Sequence, residues 1–345
     1  MTIRYAVQPF GPEIVEAYGR LFPEFAADKN PAQLSWRFER SPHGPGLFAV
    51  AHDEGAGQIV GMIALVATRL RIGTGVKPAY QAIDTVVDPS YRGKGMFVSL
   101  GEVAQSRANH SGHLLWGFPN ANAAPGWFGK LKWQNFGTVP FMVRPLRTGY
   151  FLRKLLPFLG RLDVPLAFKP SSAGDYRTIE RFGDEADALW NASRAPDGIA
   201  VDRDAAWLNW RLIDKPDAPY RSVGTYDPKG RLAALVSSCT LDKHGGRVCY
   251  VMEALAPPTY IASLSDLIRA EVARSAEQGA DVALAWCPKG SPNRAAYRRA
   301  GFLPLPESLR PVEIHFGARS LASGTCPAVE DGSKWYLSYL DSDTV

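Results

Sequence analysis

The chain reads twice in nearly one register, and that repetition limits its fold more than any other feature. "QLSWRFERSP" (33 to 42) is echoed by "WLNWRLIDKP" (207 to 216), and "GQIVGMIAL" (57 to 65) by "GRLAALVSS" (230 to 238). Farther on, a single offset sets Asp84 against Glu253, Pro89 against Pro258, Tyr91 against Tyr260, "EVAQS" (102 to 106) against "EVARS" (271 to 275) and Pro119 against Pro288. Self-similarity at a fixed spacing marks repeated structural units, so a tandem duplication is expected. With 345 residues there is room for two cores of ordinary size. The predicted division is a first domain over 1–145, a linker over 146–173 and a second domain over 174–345.

Periodicity predicts one α/β layer per half. In the first, strands are expected over 57–73 and 79–89, a helix from about 95 to 109, a buried strand over 113–120 and a helix near 125–131. The stretch "RPLRTGYFLRKLLPFLGRLDVPLAFKPSS" (144 to 172) is apolar and basic. It reads as a linker over the junction rather than a membrane-surface helix, because Pro157 breaks any helix there after two turns.

At the corner between the second strand and the first helix stands "VVDPSYRGKGMF" (86 to 97), with two glycines and two cations in six residues. The first amides of a helix have no partner inside it, and the helix dipole there favours an anion. Amides from Arg92 to Phe97 would converge on phosphate groups, glycine lets the backbone come close, and Arg92 and Lys94 add charge. No Gly-Lys-Ser/Thr closes the loop, and no acidic residue follows a three-glycine fingerprint at dinucleotide spacing. A pyrophosphate without a magnesium ligand suits coenzyme A better than ATP.

With its preceding strand "QAID", this stretch resembles the coenzyme A loop of the GCN5-related N-acetyltransferase (GNAT) superfamily: Arg or Gln, two free positions, Gly, one free position, then Gly or Ala. Arg92 and Gly95 match, and Phe97 stands where the small residue is usual. The likeness covers most of 30 to 145 and, more faintly, 200 to 316, where "SPNRAAYRRAGF" (291 to 302) resembles the family's later Asn, Tyr and Gly-Phe motif. It implies an α/β fold of two tandem GNAT-like domains, each a mixed, splayed β-sheet flanked by helices, with acyl-CoA as substrate. It implies that Thr85, Val86 and Val87 pair with the pantetheine arm as an added strand would, and that Arg92, Gly93, Lys94, Gly95, Met96 and Phe97 hold the pyrophosphate. Asn120 would meet the pantetheine or adenine-ribose part. Phe128 stands where the family often has the Tyr that protonates the departing thiolate. The second half offers "YIASLSD" (260 to 266) where the first has "YRGKGMF" (91 to 97), so one coenzyme A per chain is expected, and a piece ending near residue 150 is expected to keep weak binding.

Acyl transfer to an amine needs the amine neutral and close to the thioester carbon. Asp84 is the ionisable group on the strand nearest the loop, on the face of Val86 by period-two alternation, and is the candidate general base. His113 is its rival, since imidazole titrates near neutrality. His43, on a Gly-Pro loop, reads as a solvated histidine. No Ser-His-acid arrangement or cysteine nucleophile stands out, so transfer is expected to be direct. The repeat-related pairs Trp36-Arg37 and Trp210-Arg211 are expected to pack each half's helix on its own sheet.

Four cysteines lack metal-ligand spacing, and no metal is expected. The net charge of +5 is spread along the chain, which fits a polyanionic small molecule better than nucleic acid. By resemblance the acceptor is a small-molecule amine, on a nucleotide-linked sugar or a cell-envelope precursor. With no export signal at the start and no membrane-length apolar run, a cytoplasmic location is expected, and a homodimer is allowed. Two other readings remain open: a non-catalytic coenzyme A binding or scaffolding protein, and a tRNA-dependent aminoacyl transferase, which the missing basic stripe disfavours.

Overall fold

The computed structural model describes residues 2–150, 163–166, 176–321 and 326–342. Most of the linker stretch, 151–162 and 167–175, lies outside the described residues. The first half supplies strands β1 (Ile3–Pro9), β2 (Leu47–Asp53), β3 (Gln58–Ile72), β4 (Gly75–Val87), β5 (Leu114–Gly117), β6 (Gln134–Thr138) and β7 (Phe141–Pro145), with helices α1 (Pro12–Leu21), α2 (Pro31–Phe38) and α3 (Met96–His110). The second supplies β8 (Tyr176–Thr178), β9 (Ile199–Val201), β10 (Arg221–Tyr226), β11 (Leu232–Lys243), β12 (Gly246–Leu255), β13 (Val282–Trp286), β14 (Leu303–Pro304) and β15 (His315–Arg319), with helices α4 (Asp184–Ser193), α5 (Ala205–Leu212) and α6 (Ile261–Glu277). The helix expected near 125–131 is a single π-type turn over Pro125–Lys130.

β3 and β4 form a long antiparallel hairpin that turns at Gly73, whose φ of +57° suits glycine. β3 reads as a nearly continuous apolar run because both its faces are covered. Helices α1 and α2 bury Ile83 and Val86 of β4 on one face, and α3 buries Tyr80 and Ala82 on the other. The run β10, β11, β12, α6, β13 follows the same order as β2, β3, β4, α3, β5, and the two hairpins shift register at corresponding places, Met62/Ala64 and Ser237/Ser238.

The sheets do not follow the expected division at 145 and 174. Their orders are β1-β2-β3-β4-β5-β15-β6, with β9 beside β3, and β14-β7-β13-β12-β11-β10-β8. Thus β7 crosses into the second sheet and β15 returns into the first. A free strand edge exposes a row of unpaired N–H and C=O groups, and each crossing covers such an edge. A piece ending near residue 150 would leave β5 and β6 without the strand between them.

The tryptophans of the repeated Trp-Arg pairs also differ from expectation. Trp36 and Trp210 stack on each other across the junction, centroids 4.7 Å apart and planes 18° apart. Each indole N–H donates to the other's carbonyl, at 2.8 and 2.9 Å. They sit in one apolar core that both sheets share, with Trp116, Trp286 and Trp335. Trp36→Ala is expected to cost about 3–5 kcal/mol, the scale of a buried Trp truncation. Trp210→Ala should cost as much, and the double variant less than the sum, because the pair is one contact. Urea midpoints of the three variants measure this.

Candidate functional site

β4 and β5 run parallel in register only from Ala79↔Leu114 to Ala82↔Gly117. Beyond Ala82 they part, and Thr85, Val86 and Val87 face a cleft of about 560 Å³. The parting coincides with the shift in register against β3, where Asp84 takes a φ of +47°. This is a β-bulge, and a bulge bends its strand away from a neighbour.

The loop after β4 closes the cleft. Asp88 caps a short turn by accepting from the Ser90 amide at 2.9 Å, and Arg92 Nε donates to the Val87 carbonyl at 3.1 Å. Gly93 and Gly95 then take φ of +78° and +75°. No protein atom lies within 4 Å of where a Cβ would stand on either, so backbone conformation demands glycine while the space in front stays open. Gly95 begins α3, its carbonyl accepting from Val98 and Ser99. The Met96 and Phe97 amides therefore have no acceptor within the helix. Tyr91 ties the loop to β2 by donating to Asp53 at 2.7 Å.

Thr85, Val86, Val87, Arg92, Gly93, Gly95, Met96, Phe97 and Asn120 all line this one cleft, and Lys94 lies exposed beside it, over the Tyr91 ring. Phe97 has a packing reason to replace a small residue. Its ring meets Trp127 edge-on at 5.5 Å, and a Cβ on Gly126 would overlap it, so it anchors the π-turn to α3. Asn120 accepts from the Ala123 amide at 3.0 Å and so caps the start of that turn. Asn122, which follows the same strand end, joins the lining.

The candidate bases fall in different places. The bulge sets Ile83, Asp84 and Val86 on the face covered by α1 and α2, so strict alternation does not hold. Asp84 pairs with Lys29, accepts from Tyr18 at 2.8 Å, and stands 3.9 Å from Arg37. Both its oxygens are engaged. His113 precedes the start of β5, beside Ala79, and the bulge at Asp84 lies five residues farther along β4, about 16 Å at ~3.3 Å per residue. It stacks on Tyr80 at 4.4 Å and bonds the Ser111 carbonyl, and burial pushes its imidazole below the usual range. Parallel pairing thus puts His113 at the wrong end of the strand to meet a thioester. His113→Ala should leave coenzyme A affinity and any transfer rate within about twofold, which calorimetry and a thiol-release assay would check.

His43 is not solvated. It accepts from the Arg69 amide at 3.0 Å and faces Trp207, and burial followed by the Arg69 charge lowers its pKa to about 3. Phe128 packs against Gly317 of β15, with His315 at 6.1 Å, so the exchanged strand brings a histidine beside the first half's turn. No local pattern in the sequence marks that contact.

The second half has a corresponding opening, and it is filled. β12 leaves β13 after Val251↔Ala285. Glu253, the counterpart of Asp84, is fully buried and bound to Arg203 at 2.5 Å, with Tyr336 and Ser338 donating to it. Asp341 holds the other side of Arg203 at 2.7 Å. The segment around Tyr336 occupies the gap, leaving only about 10 Å³ beside Ala254, Leu255 and Ala256. Helix α6 starts at Ile261 with no glycine before it, and Asp266 in its first turns pairs with Arg269.

No family model matches the chain, and no curated protein matches it. Solved structures do. Saccharomyces cerevisiae N-myristoyltransferase with bound myristoyl-CoA and inhibitors aligns with a TM-score of 0.60 at 13% identity, over 99% of this chain and 86% of that one. The same enzyme with bound myristoyl-CoA gives 0.59 at 13%, over 96% and 87%. An Enterococcus faecalis V583 protein of unknown function, described as a probable N-acyltransferase, gives 0.58 at 12%, over 93% and 73%. The chain has the two-domain GNAT-type fold of these structures: two mixed sheets flanked by helices, spanning nearly its whole length. Among the described residues no helix is long and apolar enough to cross a membrane, and no group of three or more His, Cys, Asp or Glu could hold a metal.

Proposed function

We propose that the chain transfers an acyl group from coenzyme A to a primary amine, using one donor site in its first half. One observation carries this reading: two strands part directly beside a helix N-terminus that is led by two left-handed glycines. The pantetheine arm would lie along Thr85, Val86 and Val87, its pyrophosphate on the amides from Arg92 to Phe97, and its thioester at the bulge. The α3 face is then taken by the donor, so the amine approaches from the face of α1 and α2. There Asp84 fixes the bulge rather than standing free as a base. The neighbours crystallised with myristoyl-CoA support the choice of donor, and the plugged second opening supports a single site. Among amines, the family resemblance points to a nucleotide-linked amino sugar or a cell-envelope precursor. The four free cysteines, three of them buried, accord with a reducing cytoplasm.

Coenzyme A binding without transfer is the second reading, favoured by the engaged Asp84 and the distant His113. Thiol release from acetyl-CoA over a panel of amines separates the two. Transfer predicts release that depends on one class of amine; binding alone predicts none above the rate without protein.

A further inference from the structure

The face of β4 that carries Asp84 also gathers more positive charge than Asp84, shared between Lys29 and Arg37, can balance. Arg37, Arg211 and Lys215 each lie within 6.0 Å of the Trp36 ring. Arg37 has a share of Asp84, whose oxygens Lys29 and Tyr18 already hold. Arg211 and Lys215 meet no carboxylate among the described residues. Arg211 donates to the Leu340 and Ser342 carbonyls, and both cations donate to the Tyr220 hydroxyl, at 3.1 and 2.8 Å. A guanidinium carries five donor hydrogens and an ammonium three, so each keeps hydrogens to give.

The field these charges create is visible in their neighbours. Burial raises the Tyr220 phenol, yet the charges of Arg211 and Lys215 outweigh it and hold the group below its usual range. Burial, and then Arg211, press Lys215 below the usual lysine range. Like charges this close, partly out of water, repel strongly unless an anion lies among them.

A small hollow of about 40 Å³ lies on this face: Arg37 and Arg211 line it with Gln81 and Ile83 of β4, and Ile83 directly precedes the bulge. Arg37 bridges the cluster and the bulge, 3.9 Å from Asp84 and with its guanidinium carbon 5.8 Å from the Trp36 ring. An anion on the cluster and an amine at the opening would therefore fit on one small molecule.

We propose that Arg37, Arg211 and Lys215 form the recognition site for an anionic group of the acceptor, a carboxylate or a phosphate, carried close to the amine that is acylated. This rests on the acyl-transfer reading, and its test keeps the two apart. The full chain is saturated with coenzyme A, so that the phosphate loop is blocked, and titrated calorimetrically with inorganic phosphate and with succinate. Acetyl transfer to ethanolamine, O-phosphoethanolamine and β-alanine is then compared. One anion should bind, and Lys215→Gln, which gives up the Tyr220 hydrogen bond and the ring contacts with Trp36 and Tyr220, should weaken it about tenfold or more, while Lys229→Ala, exposed on the turn between β10 and β11, does not. The amine bearing that anion should show kcat/KM at least about tenfold above ethanolamine, with the advantage lost through KM in Lys215→Gln. Preference for the phosphate or the carboxylate amine tells the two anions apart. Binding that depends on Lys215 with no transfer to any amine would uphold the anion site and overturn the transfer reading. Anion binding indifferent to Lys215, or equal kcat/KM for all three amines, would overturn the site.

Discussion

Gly95→Val is expected to weaken coenzyme A binding at least about 100-fold, while Lys94→Ala weakens it about tenfold or less. The left-handed conformation at Gly95 is what turns the chain from the loop into α3, and a β-branched residue there is strained by roughly 1–3 kcal/mol. A valine also projects into the open space in front of the Met96 and Phe97 amides, where the phosphates would sit. Lys94 is exposed and offers one screened contact, a far smaller contribution. Calorimetry on both variants measures the difference, with thermal unfolding as the control that α3 still forms. Equal affinity for Gly95→Val and the parent would remove coenzyme A from this loop.

The second large effect concerns stability rather than binding. Asp84 is 7% exposed and faces Lys29 and Arg37, themselves only 12% and 16% exposed. Asp84→Asn removes the counter-charge and leaves two poorly solvated cations, which should cost about 3–5 kcal/mol. Asn tolerates the left-handed backbone, so the bulge itself is kept; Asp84→Ala should lose a further ~1–2 kcal/mol from strain. Lys29→Met combined with Asp84→Asn should cost less than the sum of the two, since they break one pair. Denaturant titrations of the parent and the four variants decide it. An Asp84→Asn variant as stable as the parent, with coenzyme A bound normally and transfer abolished, would return Asp84 to the role of base.

What the sequence made legible was local. Glycines and cations at a strand-to-helix corner are close neighbours in the chain, and Thr85, Val86, Val87, Arg92, Gly93, Gly95, Met96 and Phe97 do line one cleft, with Lys94 at its side. The hairpin of β3 and β4 was likewise visible in its own run of apolar residues. What stayed hidden depends on distant partners. β7 and β15 are ordinary short strands whose sequences do not say which sheet edge they cover. The Trp36 and Trp210 repeats were expected to serve separate sheets, yet related residues in two copies of a unit can also face each other where the copies meet. His113 was the rival base because imidazole titrates near neutrality, but the register of a parallel pair decides which end of the strand it occupies. The bulge at Asp84 carries no glycine to announce it, and its position emerges only from the shift against β3.

The central claim is that one half of a doubled fold keeps a working donor site while the other has closed its own with Glu253, Arg203 and Tyr336. Calorimetric titration of the full chain with acetyl-CoA tests it most directly. The account predicts one equivalent bound per chain, abolished by Gly95→Val and unchanged by Asp266→Ala in the first turns of α6. Two equivalents, or one that survives Gly95→Val, would contradict it.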